Sequence, residues 1–174
     1  NGFTNAGLIE LTNSLAGRAA TLNVTTGTLV NTNTIDALAG AGGGTRTLGA
    51  QIDNQGTINT NLACTIAKAS TNHTSSGTIN VSGGDLTVTQ SGTTPTFANS
   101  GTIDIAATRT LTVSGGTLNQ QAGSIGGLGT LSLSSVTANF TTNFSNAVTG
   151  LSLSSSTFNG PGTLTNAASR TLTL

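Results

Sequence analysis

The sequence has few charged residues. Only 6% of its 174 residues are Asp, Glu, Lys or Arg, five of each sign, so the formal net charge is zero. Without clustered Lys and Arg, no surface can neutralise the phosphates of DNA or RNA, and we predict no nucleic-acid partner. Intrinsic disorder usually accompanies a high net charge, so the composition also argues against a disordered chain.

Cysteine, aromatic residues and long apolar runs are also scarce. Cys64 is the single cysteine, which excludes an internal disulfide, and we interpret it as a small buried apolar residue. Phe, present five times, is the only aromatic residue type. No apolar run approaches the roughly 20 residues of a membrane-spanning helix, and we predict no membrane insertion. Apolar residues make up 34% of the chain, which predicts a thin core shared along its length.

A repeat runs through the whole sequence. The pattern apolar-x-Asn-x-Gly-x-Ile is complete at residues 3–9, 52–58 and 97–103. It recurs at 29–35 with Asn33 in place of Gly, at 73–79 and 158–164 with changes, and at 118–125 with one residue inserted. A degenerate copy is expected within residues 140–148. A second series of apolar anchors has one member missing near 62–66, and it consists of Leu22, Leu48, Leu86, Leu111, Leu131, Leu151 and Leu172. Two series that share a period of 20–26 residues predict a solenoid.

Alternation between the anchors predicts strands. In residues 110–114, Leu111 and Val113 point to one side and the hydroxyl residues to the other. Each repeat has three such stretches, no helical period occurs, and consecutive repeats would pair in parallel. We therefore predict an all-β fold over residues 1–174: a parallel β-helix, that is, a three-sided β-solenoid of about eight rungs.

Two repeat positions predict the corners. The position two before the anchor is Asn33 in one copy and glycine in the others: Gly7, Gly56, Gly77, Gly101, Gly123 and Gly162. Gly and Asn tolerate positive φ, so we predict a left-handed turn there. The position four before the anchor predicts a ladder of stacked side chains, Asn5, Asn31, Asn54 and Asn99, that is broken at Ser75, Gln121 and Gly160.

Candidate catalytic and ligand-binding residues are few. His73 takes an apolar position of the repeat, and we interpret it as an adjustment at a strand edge or loop; the alternative is a buried functional histidine. It has no second His and no acid near it in sequence, so we predict no metal site. The glycine-rich residues 39–44 lack the Lys-Ser/Thr and the helix of a phosphate-binding loop, and we predict no cofactor.

The acids and arginines recur at fixed positions. Glu10, Asp36 and Asp104 each follow an anchor, and Arg46, Arg109 and Arg170 each lie two before a second-series Leu. Asp36 with Arg46, and Asp104 with Arg109, could form surface ion pairs across corners. A carbohydrate-cleaving site needs two carboxylates that converge in a cleft, which five scattered acids do not predict, and we predict no catalytic residue.

Rows of Thr and Ser are the candidate binding surface. The repeat aligns Thr21, Thr47, Thr110, Thr130 and Thr171 in one row, and Thr87, Thr112, Ser132, Ser152 and Thr173 in the next. The candidate surface ladder is Thr47, Thr110, Thr112, Thr130, Ser132, Ser152, Thr171 and Thr173. One interpretation is a solvated sheet face. The alternative is a regular hydroxyl array that meets a repetitive partner: a glycan, a mineral or ice, or another rod.

The repeat resembles that of filamentous haemagglutinin and related large bacterial surface adhesins. Residues 29–37 match their Leu-x-Asn-x-Gly-x-Ile-x-Ala pattern, with Asn33 in place of Gly, and residues 129–133 are similar to autotransporter passenger repeats. The resemblance covers nearly the whole chain. It implies a right-handed β-helix, an extracellular or cell-surface location, and a non-enzymatic function as stalk, adhesin or fibre. The Asn-Pro-Asn box of the family's secretion domain is absent.

The chain opens at Asn1 without an initiator Met and closes in a strand-like stretch. We expect a processed product or a segment of a longer chain or filament, in contact end to end with flanking repeats or other copies. A glycan or a host or cell surface is the further expected partner. The alternatives are a polysaccharide-active enzyme and an ice-binding or surface-binding protein on the same scaffold.

Overall fold

The computed structural model describes residues 1–174 and is built of parallel strands without a helix. Eight turns of three strands each follow one another, which confirms the predicted all-β solenoid. Accordingly, it has no helix long and apolar enough to cross a membrane. The strands are β1 (Phe3–Asn5), β2 (Leu8–Leu11), β3 (Ala20–Asn31), β4 (Thr34–Ala37), β5 (Arg46–Asn54), β6 (Thr57–Thr60), β7 (Cys64–Ala67), β8 (Asn72–Ser75), β9 (Thr78–Val81), β10 (Leu86–Thr89), β11 (Thr96–Asn99), β12 (Thr102–Ile105), β13 (Thr110–Ser114), β14 (Thr117–Gln120), β15 (Ser124–Gly126), β16 (Thr130–Ser134), β17 (Thr137–Phe140), β18 (Phe144–Ser145), β19 (Gly150–Ser154), β20 (Thr157–Asn159), β21 (Leu164–Thr165) and β22 (Leu172–Thr173).

The strands form three faces around a common interior. The anchor face consists of β2, β4, β6, β9, β12, β15, β18 and β21. The hydroxyl face consists of the first halves of β3 and β5, followed by β7, β10, β13, β16, β19 and β22. The asparagine face consists of β1, the second halves of β3 and β5, and then β8, β11, β14, β17 and β20. Because β3 and β5 pass from one face to the next without a break, the last two faces share one 14-stranded sheet.

The interior is a narrow apolar core that runs the length of the solenoid. Thirty buried apolar residues form one continuous cluster. Ile9, Ile35, Ile58, Ile79, Ile103 and Ile125 lie in one column in register, as predicted. The degenerate copy is β18, in which Phe144 takes the anchor position and pairs with Leu164. Along the strands, side chains therefore alternate between the core and the surface.

The second anchor series is shifted by two residues within the first rungs. Leu22 and Leu48 align with Ile66, and through it with Val88 and Val113, rather than with Leu86. Arg46 instead occupies the column of Cys64, Leu86 and Leu111. The predicted alignment was wrong here because the Arg46 side chain points inward, at a position expected to be apolar, and is fully buried.

Close stacking on the preceding rung explains the repeat glycines from Gly56 onward, whereas Gly7, on the first rung, has open space beside it. Of the six, Gly123 alone has positive φ. A Cβ on Gly77 would lie 2.1 Å from the carbonyl oxygen of Gly56, and a Cβ on Gly101 would lie 2.0 Å from that of Gly77. The predicted left-handed turn was thus wrong at the other five. Positive φ occurs at other corners, for example at Ser70, Thr108, Ser135 and Ser155.

The predicted asparagine ladder is confirmed in its first half. Asn5 Nδ2 donates to Asn31 Oδ1, and Asn31 Nδ2 to Asn54 Oδ1, each at 2.8 Å. Ser75, predicted to break the ladder, still accepts a hydrogen bond from the preceding rung, because Asn54 Nδ2 donates to its Oγ at 3.2 Å. The break follows Ser75, where the buried Oδ1 of Asn99 has no partner.

The second half of the ladder uses a longer side chain. Asn99 Nδ2 donates to Gln120 Oε1 at 2.8 Å, so Gln120 and not Gln121 continues the series. The extra residue in the 118–125 copy follows Gln120. Phe140 pairs with Gln120 in register and ends the polar column.

Candidate functional site

The hydroxyl face presents one unbroken row of hydroxyl side chains. We call it the central row, and it consists of Thr21, Thr47, Thr65, Thr87, Thr112, Ser132, Ser152 and Thr173. Each rung contributes one member. Because hydrogen-bonded strands lie about 4.8 Å apart, the row is about 34 Å long.

A flat patch surrounds the second half of the central row. Thr110, Thr130 and Gly150 align on one side of it, and Ser114, Ser134 and Ser154 align on the other. We call these six residues, together with Thr112, Ser132 and Ser152, the hydroxyl lattice. Neighbouring lattice positions are about 4.8 Å apart along the rod and roughly 6.6 Å apart along a strand. The lattice contains no charged and no aromatic residue.

The structure brings together most of the predicted surface ladder, with one correction. Thr112, Ser132, Ser152 and Thr173 share a row as predicted. Thr47 was predicted beside Thr110 and Thr130 but lies in the central row, and Thr21 moves with it, because of the two-residue shift at Arg46. Thr110 and Thr130 pair in the adjacent row, and Thr171 is exposed just before β22.

Sequence analysis missed one member of the central row. Thr65 aligns with both Thr47 and Thr87. It lies in the stretch where the second anchor series has a gap. The alternation of Cys64 and Ile66 about it was the available signal, and both of these side chains are buried.

The hydroxyl groups of the central row are free. None of them makes a hydrogen bond within the protein; side-chain bonds at the edges of the face include those from the Thr110 N–H to Asp85 Oδ1, from the Ser156 hydroxyl to the Ser154 carbonyl and from Lys68 to the Val24 carbonyl. Since each hydroxyl both donates and accepts, the row can bond to water or to a partner.

On the other two faces, outward polar side chains bond to each other from rung to rung. On the asparagine face, Thr74 donates to Asp53 at 2.8 Å, and Asn139 donates to Asn119 at 2.8 Å. On the anchor face, Asn59 Nδ2 donates to Asp36 Oδ1 at 2.7 Å. Shorter rows of unbonded hydroxyls also occur there, Thr57, Thr78, Thr102 and Ser124 on the anchor face and Thr117, Thr137 and Thr157 on the asparagine face. The central row differs from them in that it continues through all eight rungs.

The acids of the repeat lie in a row and not in a cleft. On the anchor face Glu10 aligns with Asp36, and the row continues through Asn59 and Asn80 to Asp104. Asp36 and Asp104 are thus three rungs apart, or about 14 Å. No three His, Cys, Asp or Glu side chains cluster anywhere in the structure.

Arg46 bonds to the main chain and not to Asp36. Its guanidinium donates at 2.7–3.3 Å to five carbonyl oxygens, those of Leu38, Ala39, Gly43, Thr45 and Arg18. These carbonyls belong to the glycine-rich loop and to the insert one rung earlier. The predicted Asp36–Arg46 pair is therefore not formed, and Arg109, in the other predicted pair, donates to Thr108 Oγ1 at 3.3 Å. Arg46 holds two stacked loops together.

His73 is a buried neutral side chain in a hydrogen-bonded chain. Its Nδ1 accepts from the Ile52 N–H at 3.2 Å, so the proton lies on Nε2, 3.2 Å from Thr71 Oγ1. Thr71 in turn donates to the Lys68 carbonyl at 2.7 Å. Burial, and secondarily the charge of Lys68, lowers the pKa of His73 to about 4. At neutral pH the ring accepts the Ile52 N–H just before Asp53, the residue at which the pairing of β5 with β8 begins.

The single cavity of the structure lies beside His73. It is lined mainly by apolar side chains of three successive rungs, among them Ile52, Ile66 and Phe97, and no carboxylate reaches it. Cys64 is buried as predicted, and burial raises the pKa of its thiol to about 12. A protonated thiol is a poor nucleophile. Neither interior group is arranged for chemistry on an external substrate.

No family model, curated protein or solved structure matches the chain. The resemblance to surface adhesins therefore remains one of sequence pattern. What the geometry offers chemically is neutral hydrogen bonding at a regular spacing along one flat face.

Proposed function

We propose that the chain is a rigid, non-enzymatic segment of a bacterial extracellular surface protein or fibre, and that its hydroxyl face contacts a repetitive partner. A glycan or a cell surface is such a partner. The observation that carries the proposal is the central row, with one free hydroxyl per rung over eight rungs. The adhesin-like repeat supports the extracellular location.

The construction of the rod suits a spacer. Of its 100 main-chain hydrogen bonds, 59 lie within the strand ladders, so every rung is held to its neighbours. Eight rungs give a length of about 38 Å. On the first rung, Phe3 is 42% exposed, although Leu29, the next residue in its column, is fully buried. Apolar surface at an open solenoid end supports end-to-end contact with flanking repeats or other copies.

Binding to insoluble polysaccharides and to whole cells tests the contact proposal. The variant T65V/T87V/T112V removes three central-row hydroxyls and keeps the β-branched shape. Its matched control, T117V/T137V/T157V, removes three aligned hydroxyls from the asparagine face. Cosedimentation should show at least tenfold weaker binding for the first variant and unchanged binding for the control. Equal binding by both variants, or no binding by the wild type, would overturn the proposal.

A polysaccharide-active enzyme is the second candidate. One observation favours it: Glu10 and Asp36 lie on adjacent rungs, about 4.8 Å apart along the ladder. Retaining glycosidases place two carboxyl groups about 5–5.5 Å apart. Release of reducing ends from a glycan panel, abolished by Glu10→Gln or Asp36→Asn, would establish this activity in place of the first proposal.

The free hydroxyls also suit ice or another crystalline surface, the third candidate. Thermal hysteresis of the purified protein is the direct measurement. Hysteresis that T65V/T87V/T112V abolishes and the asparagine-face control retains would assign the face to ice.

A further inference from the structure

We propose that the hydroxyl face pairs side by side with the hydroxyl face of a second copy of this chain. The proposal rests on the proposed function insofar as it takes the chain to be a structural rod. In this arrangement, the repetitive partner of the central row is the central row of another copy.

The first argument is the repeat distance. The spacing of the central row is set by main-chain hydrogen bonding between rungs, about 4.8 Å, and it is the same in every copy. Two such faces stay in phase over all eight rungs. A partner with any other repeat accumulates mismatch with each rung.

The second argument is charge. The central row and the hydroxyl lattice carry none. The charged groups at the edges of the face are of both signs and are hydrogen-bonded within the protein: Asp85 accepts from the Thr110 N–H, Lys68 donates to the Val24 carbonyl, and Arg109 donates to Thr108 Oγ1. The anchor face instead aligns Glu10, Asp36 and Asp104 in one outward row. Two copies that met through the anchor face would bring like charges together, which disfavours association. No row of like charges runs along the hydroxyl face.

The third argument is the chemistry of the lattice. A hydroxyl is both donor and acceptor, so a hydroxyl surface is complementary to itself. Strands β13, β16 and β19 pair over five residues each without a bulge, which keeps the lattice flat. Small side chains such as Ser132, Ser152 and Gly150 allow two sheets to approach closely and interdigitate, as stacked sheets do at about 10 Å.

The area suits a weak, reversible pair. A face of eight rungs by four to five residues measures about 38 Å by 13–16 Å, or about 500–600 Å² per copy. The total of about 1,000–1,200 Å² lies at the lower limit of specific interfaces. We therefore expect association that depends on protein concentration.

Sedimentation equilibrium tests the pairing. The weight-average mass of the wild type should rise with concentration from 17.0 kDa towards twice that value. The variant T112K/S132K places two positive charges in the centre of the face and should weaken dimerisation at least tenfold. N119K/N139K carries the same charge change on the asparagine face of adjoining strands and should dimerise like the wild type.

Charge complementation separates loss of pairing from loss of folding. T112E/S132E should also be monomeric, and mixing it with T112K/S132K should restore a dimer through opposite charges. Failure of that mixture to associate, with both variants folded by far-UV circular dichroism, would overturn the proposal, as would a wild type that stays monomeric at millimolar concentration.

A dimer that resists both face variants but is lost in F3K would be an end-to-end contact, because Phe3 lies over the buried Leu29 at the first rung. That result overturns side-by-side pairing and leaves the spacer function intact. The cosedimentation assay with glycans and cells, described under the proposed function, tests that function separately.

Discussion

At the scale of single residues, two buried polar side chains, His73 and Arg46, form hydrogen bonds to main-chain groups inside the solenoid. His73 replaces an apolar member of the column that includes Phe97 and Leu118, and it accepts the Ile52 amide that the interrupted ladder leaves free. Arg46 has a guanidinium that is surrounded by carbonyl oxygens in place of a carboxylate. Both satisfy main-chain groups whose burial without a partner would be costly.

The stability of the protein should depend on pH through His73. Burial lowers its pKa from 6.5 to about 4, so below pH 6.5 the unfolded chain binds a proton that the folded chain does not. The free energy of unfolding should therefore fall as pH drops from about 6.5 to about 4, by about 3 kcal/mol at most. Urea unfolding of the wild type and His73→Phe at pH 7, 5 and 4 measures the contribution of His73 to the free energy of unfolding.

All other titrating groups are common to the two proteins. Their difference in unfolding free energy therefore isolates His73, and parallel pH profiles would contradict its assignment as a buried neutral base.

At the scale of elements, contacts between equivalent corners decide which residues the repeat tolerates. The glycine column exists because each corner lies against the carbonyl oxygen of the corner before it. The asparagine column exists because each side chain bonds to the next one. Both constraints act between residues more than 20 positions apart.

Gly77→Ala should destabilise the solenoid by about 1–3 kcal/mol, the usual cost of overpacking. Its Cβ would lie 2.1 Å from the Gly56 carbonyl oxygen, whereas a Cβ on Gly7 meets nothing within 4 Å. Gly7→Ala is the matched control and should leave the midpoint of thermal unfolding unchanged. Equal effects of the two substitutions would show that backbone flexibility, and not stacking, explains the glycines.

Ser75→Asn should stabilise the protein by about 1 kcal/mol, the net value of one hydrogen bond. The longer side chain can donate to the unpartnered Oδ1 of Asn99 while it accepts from Asn54, and the cavity beside Ser75 offers room. Ser76→Asn, at an exposed position, is the control. Chemical denaturation measures both, and a destabilised Ser75→Asn would rule out the continuous ladder.

At the scale of the whole molecule, the rod is a stack of equivalent rungs. Each rung contacts mainly its two neighbours, so stability is close to a sum of rung and interface terms. Consecutive rungs pair in a fixed register, in which equivalent residues such as Ile58, Ile79 and Ile103 lie above one another.

Deletion of residues 74–97 should therefore leave a folded protein of seven rungs. His73 and Phe97 align in register, so the cut removes one turn, and Asn99 then follows Asn54 in the asparagine ladder. We expect β-sheet circular dichroism, cooperative unfolding and a smaller radius of gyration. Deletion of residues 74–85 removes half a turn, so strands of one face would have to pair with strands of another, and the protein should not fold. A folded half-turn deletion would contradict the register.

The repeat in the sequence was sufficient to predict the rung, its three strands and the number of turns, because inward and outward alternation depends on local spacing alone. It also located the Asn5–Asn31–Asn54 ladder and the buried position of Cys64. It could not predict the inward turn of Arg46, because an arginine is expected at the surface until five carbonyl oxygens are brought around it. Thr47 was misplaced for the same reason.

The sequence by itself thus determined that this chain coils into a parallel β-solenoid with rows of hydroxyl residues on its surface. Only the tertiary structure decided why the corners are glycine, where the ladder breaks, and which hydroxyl residues form one row through all eight rungs. These features depend on atoms that meet across neighbouring rungs, about 4.8 Å apart in space and 20 or more residues apart in the chain.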